Sequence, residues 1–204
     1  MLALEKPRLW IVAGPNGSGK STLYGRTDIK DFGRSVWIIN PDLLTAHIAK
    51  REKLKLRQAN AETLDRIRAW LVASIKAYRT IGVETVLSTP KYRRLVRSAK
   101  ELGFEIRLLY VTLQTVEMNI ERVKARVREG GHTVPVGKIR SRQKRSYKQL
   151  PWFLDQADVA LLYDNSSTAP KLIGTKEKGT VSISPEAPKE LLNSLFGYFG
   201  QPER

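Results

Sequence analysis

The sequence predicts an α/β fold of three layers, α/β/α, built around a mainly parallel five-stranded sheet. Short β-rich apolar runs alternate with stretches of helical periodicity along most of the chain. Such alternation favours parallel strands joined by helices that cover both faces of the sheet. The chain has 204 residues, of which 41% are hydrophobic, and this suits one domain with a substantial core. We therefore predict a single domain over residues 1–204.

Five apolar runs are predicted as the strands of this sheet, because they are rich in residues that favour β-structure. These runs are Arg8–Ala13, Ser35–Asn40, Val83–Ser88, Phe104–Val111 and Asp158–Tyr163. The C-terminal region, residues 166–200, is predicted to hold a β-hairpin with Lys178 and Gly179 in its turn. A short helix around Glu190–Phe196 is expected to follow that hairpin.

Helices are predicted between the strands. Leu64, Ile67, Leu71, Ile75 and Tyr78 recur at three- or four-residue spacing, which indicates one apolar helix face. The predicted helices are Ala59–Ile81, ended by Gly82, then Tyr92–Leu102, Val116–Arg128 and Val136–Leu150.

A glycine-rich segment directly follows the first predicted strand. It fits the phosphate-binding pattern G-x-x-x-x-G-K-[ST] of a P-loop at every fixed position. Glycines let the backbone N–H groups point at a polyphosphate, an approach that bulky side chains would block. The predicted ATP-binding residues are Gly14, Pro15, Asn16, Gly17, Ser18, Gly19, Lys20, Ser21 and Thr22.

Two side chains of this P-loop suit a nucleoside triphosphate and its metal ion. Lys20 would bring a positive charge to the β- and γ-phosphates and so take part in catalysis, and Ser21 would offer a hydroxyl ligand to Mg²⁺. The P-loop therefore predicts ATP and Mg²⁺ as cofactors. It also makes the predicted three-layer fold P-loop kinase-like.

Asp42 comes just after the second predicted strand, at the edge where parallel sheets bind ligands. In a kinase, a carboxylate here would take the proton of the acceptor hydroxyl or orient that hydroxyl for in-line attack. The alternative is an acid that only complements a helix dipole, since Asn40 and Pro41 predict a helix start. Both interpretations stay open at the level of the sequence.

Three polar residues of the third predicted strand are candidates for substrate binding. Glu84 lies inside the strand, where a charge is unfavourable unless it is paired or functional. It would hold a substrate hydroxyl or a Mg²⁺-bound water, the alternative being an outward-facing residue of an edge strand. Ser88 and Thr89 end the strand on the ligand side and would hydrogen-bond the substrate, or only form the turn.

Residues 122–150 are predicted to form a basic helical lid. Arg122, Arg126, Arg142 and Arg145 are candidates for stabilising the negative charge that develops during phosphoryl transfer. Gly130-Gly131 could serve as the hinge. His132 is predicted to contact substrate or to belong to the loop, and the alternative for the whole segment is a solvated basic helix face.

The net charge is +16, from 36 basic and 20 acidic residues, and such a charge attracts polyanions. A nucleic-acid-binding P-loop protein, or a polynucleotide kinase, is therefore an alternative to a small-molecule kinase. A nucleotide switch or ATPase without an acceptor is another. No recognition helix or RNA-binding aromatic motif supports nucleic-acid binding, so a small-molecule kinase is the prediction.

No apolar run approaches the ~20 residues of a membrane helix, and the N-terminal residues do not resemble a signal peptide. The chain also contains no cysteine, which excludes disulfides and cysteine-based metal sites. We therefore expect a cytoplasmic protein without a membrane partner.

Four motifs carry a resemblance to a known family. They are Gly14–Thr22, Ile39–Asp42, Glu84–Ser88 and the segment from Arg122 to Pro135 with its Gly130-Gly131 pair. In this order they resemble the zeta-toxin family, and more narrowly its short bacterial form. The resemblance extends from Arg8 to about Asn165.

This resemblance implies a P-loop kinase that acts as the toxin of a toxin–antitoxin pair. Such proteins use ATP and Mg²⁺ to phosphorylate a hydroxyl of the nucleotide-sugar UDP-N-acetylglucosamine, and another nucleotide or cofactor is the alternative acceptor. An acidic antitoxin docked on the basic surface is implied as a partner. The resemblance implies roles for six residues: phosphate binding by Lys20, Mg²⁺ binding by Ser21, base catalysis by Asp42, acceptor binding by Glu84, and charge stabilisation by Arg126 and Arg142.

Overall fold

The computed structural model of the chain describes residues 5–24, 36–131 and 133–200. Within these ranges, seven strands form one sheet. They are β1 (Arg8–Ala13), β2 (Ile38–Ile39), β3 (Ile81–Thr85), β4 (Glu105–Thr112), β5 (Val159–Asp164), β6 (Lys171–Glu177) and β7 (Thr180–Ile183). The predicted limits of the first strand are therefore those of β1.

The strand order is β2-β3-β1-β4-β5-β6-β7. All neighbours from β2 to β5 pair in parallel, so the predicted mainly parallel sheet is confirmed. The predicted number of five strands is wrong, because the hairpin strands β6 and β7 extend the same sheet in antiparallel pairing. Pairing with β6 satisfies the backbone groups that β5 would otherwise expose as an edge strand.

The turn between β6 and β7 lies where the sequence predicted it. Lys178 and Gly179 have φ values of +49° and +84°. Two consecutive residues with positive φ are typical of the tight turns whose twist matches a β-hairpin. The local sequence therefore determines this hairpin, although it does not reveal that the hairpin joins the main sheet.

The helices of the described ranges lie between these strands and at the C-terminal side of the sheet. They are α1 (Lys20–Tyr24), α2 (Pro41–Arg51), α3 (Leu56–Lys76), α4 (Arg93–Glu101), α5 (Val116–Arg128), α6 (Val136–Gln156) and α7 (Lys189–Phe199). In this part of the chain, none of them combines the length and the apolar composition needed to cross a bilayer.

The layers follow from the alternation of side chains along the strands. In β1, Leu9 and Ile11 face an apolar cluster that also contains side chains of α3, α4, α6 and α7. Trp10 and Val12 face the opposite side, where they pack with Leu23 of α1. These strand residues are all buried, so helices cover both faces of the sheet and the predicted three-layer α/β/α architecture is confirmed.

The boundary between α3 and β3 differs from the prediction. The helix ends at Lys76, and Gly82, which the sequence indicated as a helix terminator, lies inside β3. A Cβ at Gly82 would lie 2.9 Å from the Cβ of Trp10 on the neighbouring strand. Close packing between strands therefore requires a glycine here. The strand also starts and ends earlier than the predicted run Val83–Ser88.

Helix α6 continues past its predicted end at Leu150, even though Pro151 lies inside it. A proline removes one backbone hydrogen bond of a helix and usually bends or ends it. The next turn, however, buries Phe153 and Leu154 in the main apolar cluster. This burial offsets the missing hydrogen bond and keeps the chain helical to Gln156.

The phenol of Tyr92 provides a test of this packing. Tyr92 is 7% exposed, and burial raises its pKa from 10.0 to about 12. The unfolded chain releases this proton at lower pH than the folded chain, so stability falls as the pH rises from 10 to 12. We expect Tyr92→Phe to lose about 2 kcal/mol less stability than the wild type over this interval, measured by urea unfolding.

Tyr198, which is 50% exposed, provides the matched control. Tyr198→Phe should follow the wild-type loss of stability between pH 10 and pH 12. An equal pH dependence in the wild type and Tyr92→Phe would contradict the burial of the Tyr92 hydroxyl.

Candidate active site

The loop between β1 and α1 depends on its glycines. Gly14, Gly17 and Gly19 have φ values of +143°, +76° and +87°, a region that residues with a side chain rarely adopt. The N–H of Gly14 donates to the carbonyl oxygen of Thr85 at 3.2 Å, which ties the loop to the end of β3. A Cβ at Gly17 would also lie only 2.6 Å from the carbonyl oxygen of Asn119.

Substitution of Gly14 should therefore destabilise the protein. A Cβ at this position would overlap the carbonyl oxygen of Val111, and the positive φ adds backbone strain of about 1–3 kcal/mol. We expect Gly14→Ala to lower the free energy of unfolding by at least this amount in urea denaturation. The control is Gly137→Ala in α6, where a Cβ meets open space and alanine favours the helix. Equal stabilities of the two variants would contradict this account of the loop.

Lys20 is held in place before any phosphate arrives. Its Nζ donates to the carbonyl oxygens of Gly14 and Pro15 at 2.9 and 3.0 Å and lies 3.9 Å from Oε1 of Glu84. The side chain is buried. This burial lowers the pKa of Lys20; the charges of Glu84 and Asp42 oppose the lowering, and Arg126 adds to it.

Glu84 connects the P-loop with the next strand. Its Oε2 accepts hydrogen bonds from the Ser21 hydroxyl at 2.8 Å, the Tyr24 hydroxyl at 3.0 Å and the Asn40 amide at 2.9 Å. A buried carboxylate is favourable only when it is paired and hydrogen-bonded in this way. Because β3 pairs with β1, the sheet places Glu84 opposite Val12, close to the loop. The interpretation of Glu84 as an outward-facing residue of an edge strand is therefore wrong.

Asn40 links this carboxylate to Asp42. Its Oδ1 accepts from the backbone N–H groups of Asp42 and Leu43 at 3.0 and 3.2 Å, as an N-cap does. Its Nδ2 donates to Glu84, so one side chain both starts α2 and contacts the P-loop network. Asp42 itself is exposed at the start of α2. The helix-dipole interpretation and the catalytic interpretation of Asp42 are both compatible with this position.

The donor set around Ser21 fits a magnesium ion. Mg²⁺ prefers oxygen ligands, in proteins mainly one or two carboxylates and hydroxyls together with water and phosphate. Ser21 and Glu84 bring a hydroxyl and a carboxylate into direct contact. The buried hydroxyl of Ser18 has no hydrogen-bond partner within the described part of the chain, as expected where a ligand completes the loop.

The lid side of the P-loop is formed by α5 and α6. Asn119 of α5 donates from Nδ2 to the carbonyl oxygen of Asn16 at 2.8 Å. Arg142 of α6 donates from Nη1 to Oδ1 of Asn16 at 3.5 Å, so its guanidinium reaches the loop. Gln143 of α6 in turn donates to Oδ1 of Asn119. These contacts hold the two basic helices against the phosphate site.

The other lid arginines lie at different places. The charge of Arg126 acts on Lys20, which places this guanidinium within electrostatic reach of the phosphate site. Arg122 instead donates to the carbonyl oxygen of Asn165 at 2.7 Å, and Arg145 is exposed on α6. Gly130, with φ of +85°, ends α5 just before the connection to α6, where the hinge was predicted.

The remaining predicted residues contribute less to this network. Ser88 is partly buried and Thr89 is exposed, and neither hydrogen-bonds to a described residue. Thr22 is exposed on α1. His132 lies outside the described residues.

The structure adds three residues that the sequence interpretation did not assign to the site. Tyr24 donates to Glu84, and burial, followed by the charge of Glu84, raises its pKa. Asn165 donates from Nδ2 to the carbonyl oxygen of Ser18 at 2.9 Å. Lys91 interacts electrostatically with Arg142 and Asp42. Asn165 directly follows a parallel strand, so the strand-end rule that selected Asp42 could also have found it.

The fold and the P-loop together define an α/β protein of the P-loop class. The model of the AAA domain family, AAA_33, matches residues 9–150, and the chain therefore belongs to this family. A relative described as an uncharacterized protein of Haemophilus influenzae is 30% identical over 138 residues, which are 64% of this chain and 94% of the relative.

Two solved structures show the same fold. AvrRxo1-ORF1:-ORF2 with ATP has a TM-score of 0.71 at 19% identity, over 93% of this chain and 63% of that chain, so this chain spans less than two thirds of that protein. A structure of the PezAT chromosomal toxin–antitoxin system of Streptococcus pneumoniae has a TM-score of 0.67 at 14% identity, over 99% and 82% of the two chains. These likenesses confirm the predicted P-loop kinase-like fold and agree with the zeta-toxin resemblance.

Proposed function

We propose that this protein is an ATP-dependent kinase that transfers a phosphoryl group to a hydroxyl of a small molecule. The observation that carries the proposal is the hydrogen-bonded chain from the P-loop to the start of α2. Ser21 contacts Glu84, Glu84 accepts from Asn40, and Asn40 caps the helix that begins with Asp42. An ATP site and a carboxylate beside it are thus built as one unit.

In this proposal each group has one task. The loop amides and Lys20 bind the β- and γ-phosphates, while Ser21 and Glu84 hold Mg²⁺, Glu84 through a bound water. Asp42 accepts the proton of the acceptor hydroxyl as its oxygen bonds to the γ-phosphorus and the bond to ADP breaks. The metal, when bound, neutralises charge on the phosphates.

Arg142 and Arg126 would stabilise the negative charge that spreads over the phosphoryl oxygens. Arg142 already contacts the P-loop at Asn16, and the charge of Arg126 already acts on Lys20. Because the loop after α5 ends at glycines, a small change at residues 129–135 would bring α5 and α6 closer to a bound nucleotide. Ser88, Thr89 and His132 remain candidates for binding the acceptor.

For the acceptor we propose a nucleotide-sugar such as UDP-N-acetylglucosamine, and for the protein the role of toxin in a toxin–antitoxin pair. The motif resemblance and the fold likeness to the PezAT toxin–antitoxin structure support both. The excess of positive charge, +16, would favour an antitoxin with an acidic surface. Loss of growth on expression, relieved by a co-expressed antitoxin, is the expected behaviour in a cell.

The test is phosphoryl transfer from γ-labelled ATP with Mg²⁺ to UDP-sugars, nucleosides, dinucleotides and RNA. We expect label on a UDP-sugar, lost in Asp42→Asn. Label on RNA alone would identify a polynucleotide kinase, and released phosphate alone would identify an ATPase. Either of these results would overturn the proposed acceptor, and binding of ATP without any turnover would overturn the proposed reaction.

A further inference from the structure

We propose that Lys91 binds an anionic group, a phosphate or a carboxylate, of the acceptor molecule, with Arg142 as its neighbour. This inference rests on the proposed function, because it concerns the second substrate of that reaction. It adds to the site a residue that neither the P-loop nor the lid contains, and it narrows the acceptor to molecules that carry a negative charge.

The first support is the arrangement of charges around Asp42. Lys20 lies within electrostatic reach of Asp42, Glu84 and Arg126, whereas Lys91 lies within reach of Asp42 and Arg142. Asp42 is therefore shared by two lysines, of which one belongs to the P-loop and the other does not. If Lys20 faces the phosphates of ATP, Lys91 faces the side from which the acceptor must reach Asp42.

The second support is that Lys91 has no partner of opposite charge in direct contact. Its Nζ lies 4.7 Å from the centre of the Tyr92 ring, which is a cation–π distance. Within the described ranges it forms neither a hydrogen bond nor an ion pair. Lys91 lies at the surface, yet desolvation lowers the pKa of its ammonium and the nearby Arg142 lowers it further. An anionic ligand would relieve both effects.

Stabilisation of the protein does not account for a lysine at this position. Lys91 precedes α4, whose first turn contains Arg93 and Arg94 and no acidic residue. Cations near the beginning of a helix are opposed by its dipole, so Lys91 weakens α4. A lysine without a function would extend into water, away from the neighbouring guanidinium.

There is also space for an acceptor next to Lys91. Lys91 and Tyr92 line a groove of about 1110 Å³ between α3 and α4, together with apolar side chains such as Leu64, Val72 and Leu95. Sites for small molecules combine an apolar wall with a few polar groups that fix orientation. Lys91 would be such a group, at the point where this groove approaches Asp42.

The test uses inorganic anions as probes, so that it does not depend on the identity of the acceptor. The protein is first saturated with Mg²⁺ and the β,γ-imido analogue of ATP, which occupies the P-loop. Phosphate and, separately, acetate are then titrated by calorimetry. We expect the wild type to bind one of these anions, and we expect Lys91→Ala and Lys91→Gln to bind it at least fivefold more weakly. Lys91→Arg should retain binding.

Arg94→Ala provides the matched control, since Arg94 is an exposed cation of the same helix. It should bind the anion like the wild type, and unchanged thermal melting of all variants should show that they are folded. The proposal is overturned if the wild type binds neither anion, if both Lys91 variants bind as the wild type does, or if Arg94→Ala loses as much affinity. Preference for phosphate over acetate, or the reverse, identifies the acceptor's anionic group.

A kinetic measurement separates this proposal from the proposed function. Once an acceptor is found, Lys91→Ala should raise the KM of the acceptor at least tenfold and change the KM of ATP less than twofold. Absence of transfer to any hydroxyl would refute the proposed function and leave the anion titration valid. A changed KM for ATP with an unchanged KM for the acceptor would refute the role of Lys91.

Discussion

Lys20→Ala is expected to lower kcat for phosphoryl transfer about 1,000-fold, the effect of removing one preorganised charge-stabilising group. The ammonium is fixed by the carbonyl oxygens of Gly14 and Pro15, so it does not need to be ordered when ATP binds. Because this buried charge is also desolvated, its interaction with phosphate is stronger than that of a surface lysine. Initial rates with labelled ATP measure the effect.

The variant should remain folded but lose most of its response to nucleotide. A ligand that binds only the folded state raises the melting temperature in proportion to its affinity. We expect Mg²⁺ and ATP to raise the melting temperature of the wild type and to change that of Lys20→Ala little. Lys148→Ala, which removes an exposed lysine of α6, is the control for charge alone. If Lys20→Ala kept the wild-type rate, the assigned phosphate site would be wrong.

Asp42→Asn is expected to lower kcat about 1,000-fold with little change in ATP affinity, because a positioned general base contributes roughly 10²- to 10⁴-fold. Asparagine has nearly the same shape but cannot accept the proton. It also leaves the backbone N–H of residue 42 available for the cap from Asn40, so α2 should be preserved. Transfer rates and nucleotide binding, measured separately, check these two expectations.

Asp65→Asn is the control for Asp42→Asn, since Asp65 is an exposed acid of α3. It should keep the wild-type rate. An Asp42→Asn variant with wild-type turnover would leave only the helix-dipole interpretation for Asp42, which predicts a small loss of stability, about 0.3–1 kcal/mol, and no loss of activity.

The two interpretations of Asp42 show where sequence patterns stop being informative. The strand-end rule and the helix-start signals at Asn40 and Pro41 were both correct, and they assign the same residue different tasks. Only the folded chain shows that Asn40 also contacts Glu84. That contact places Asp42 next to the phosphate site instead of at an unrelated helix end.

Features that depend on neighbours along the chain were determined by the sequence itself. The P-loop follows from glycines whose φ values of +76° and +87° at Gly17 and Gly19 suit this residue. Helix α5 has its predicted limits, because apolar spacing extends over its whole length and Thr115 caps its start. The turn at Lys178 and Gly179 is equally local.

Tertiary structure decided the features that join distant parts of the chain. Glu84 receives hydrogen bonds from residues 63, 60 and 44 positions away, and no local pattern contains such information. The hairpin became part of the sheet because β5 needed a partner, and Gly82 became a strand residue because Trp10 packs beside it. Periodicity and turn chemistry act over a few residues, whereas burial and strand pairing depend on which surfaces meet.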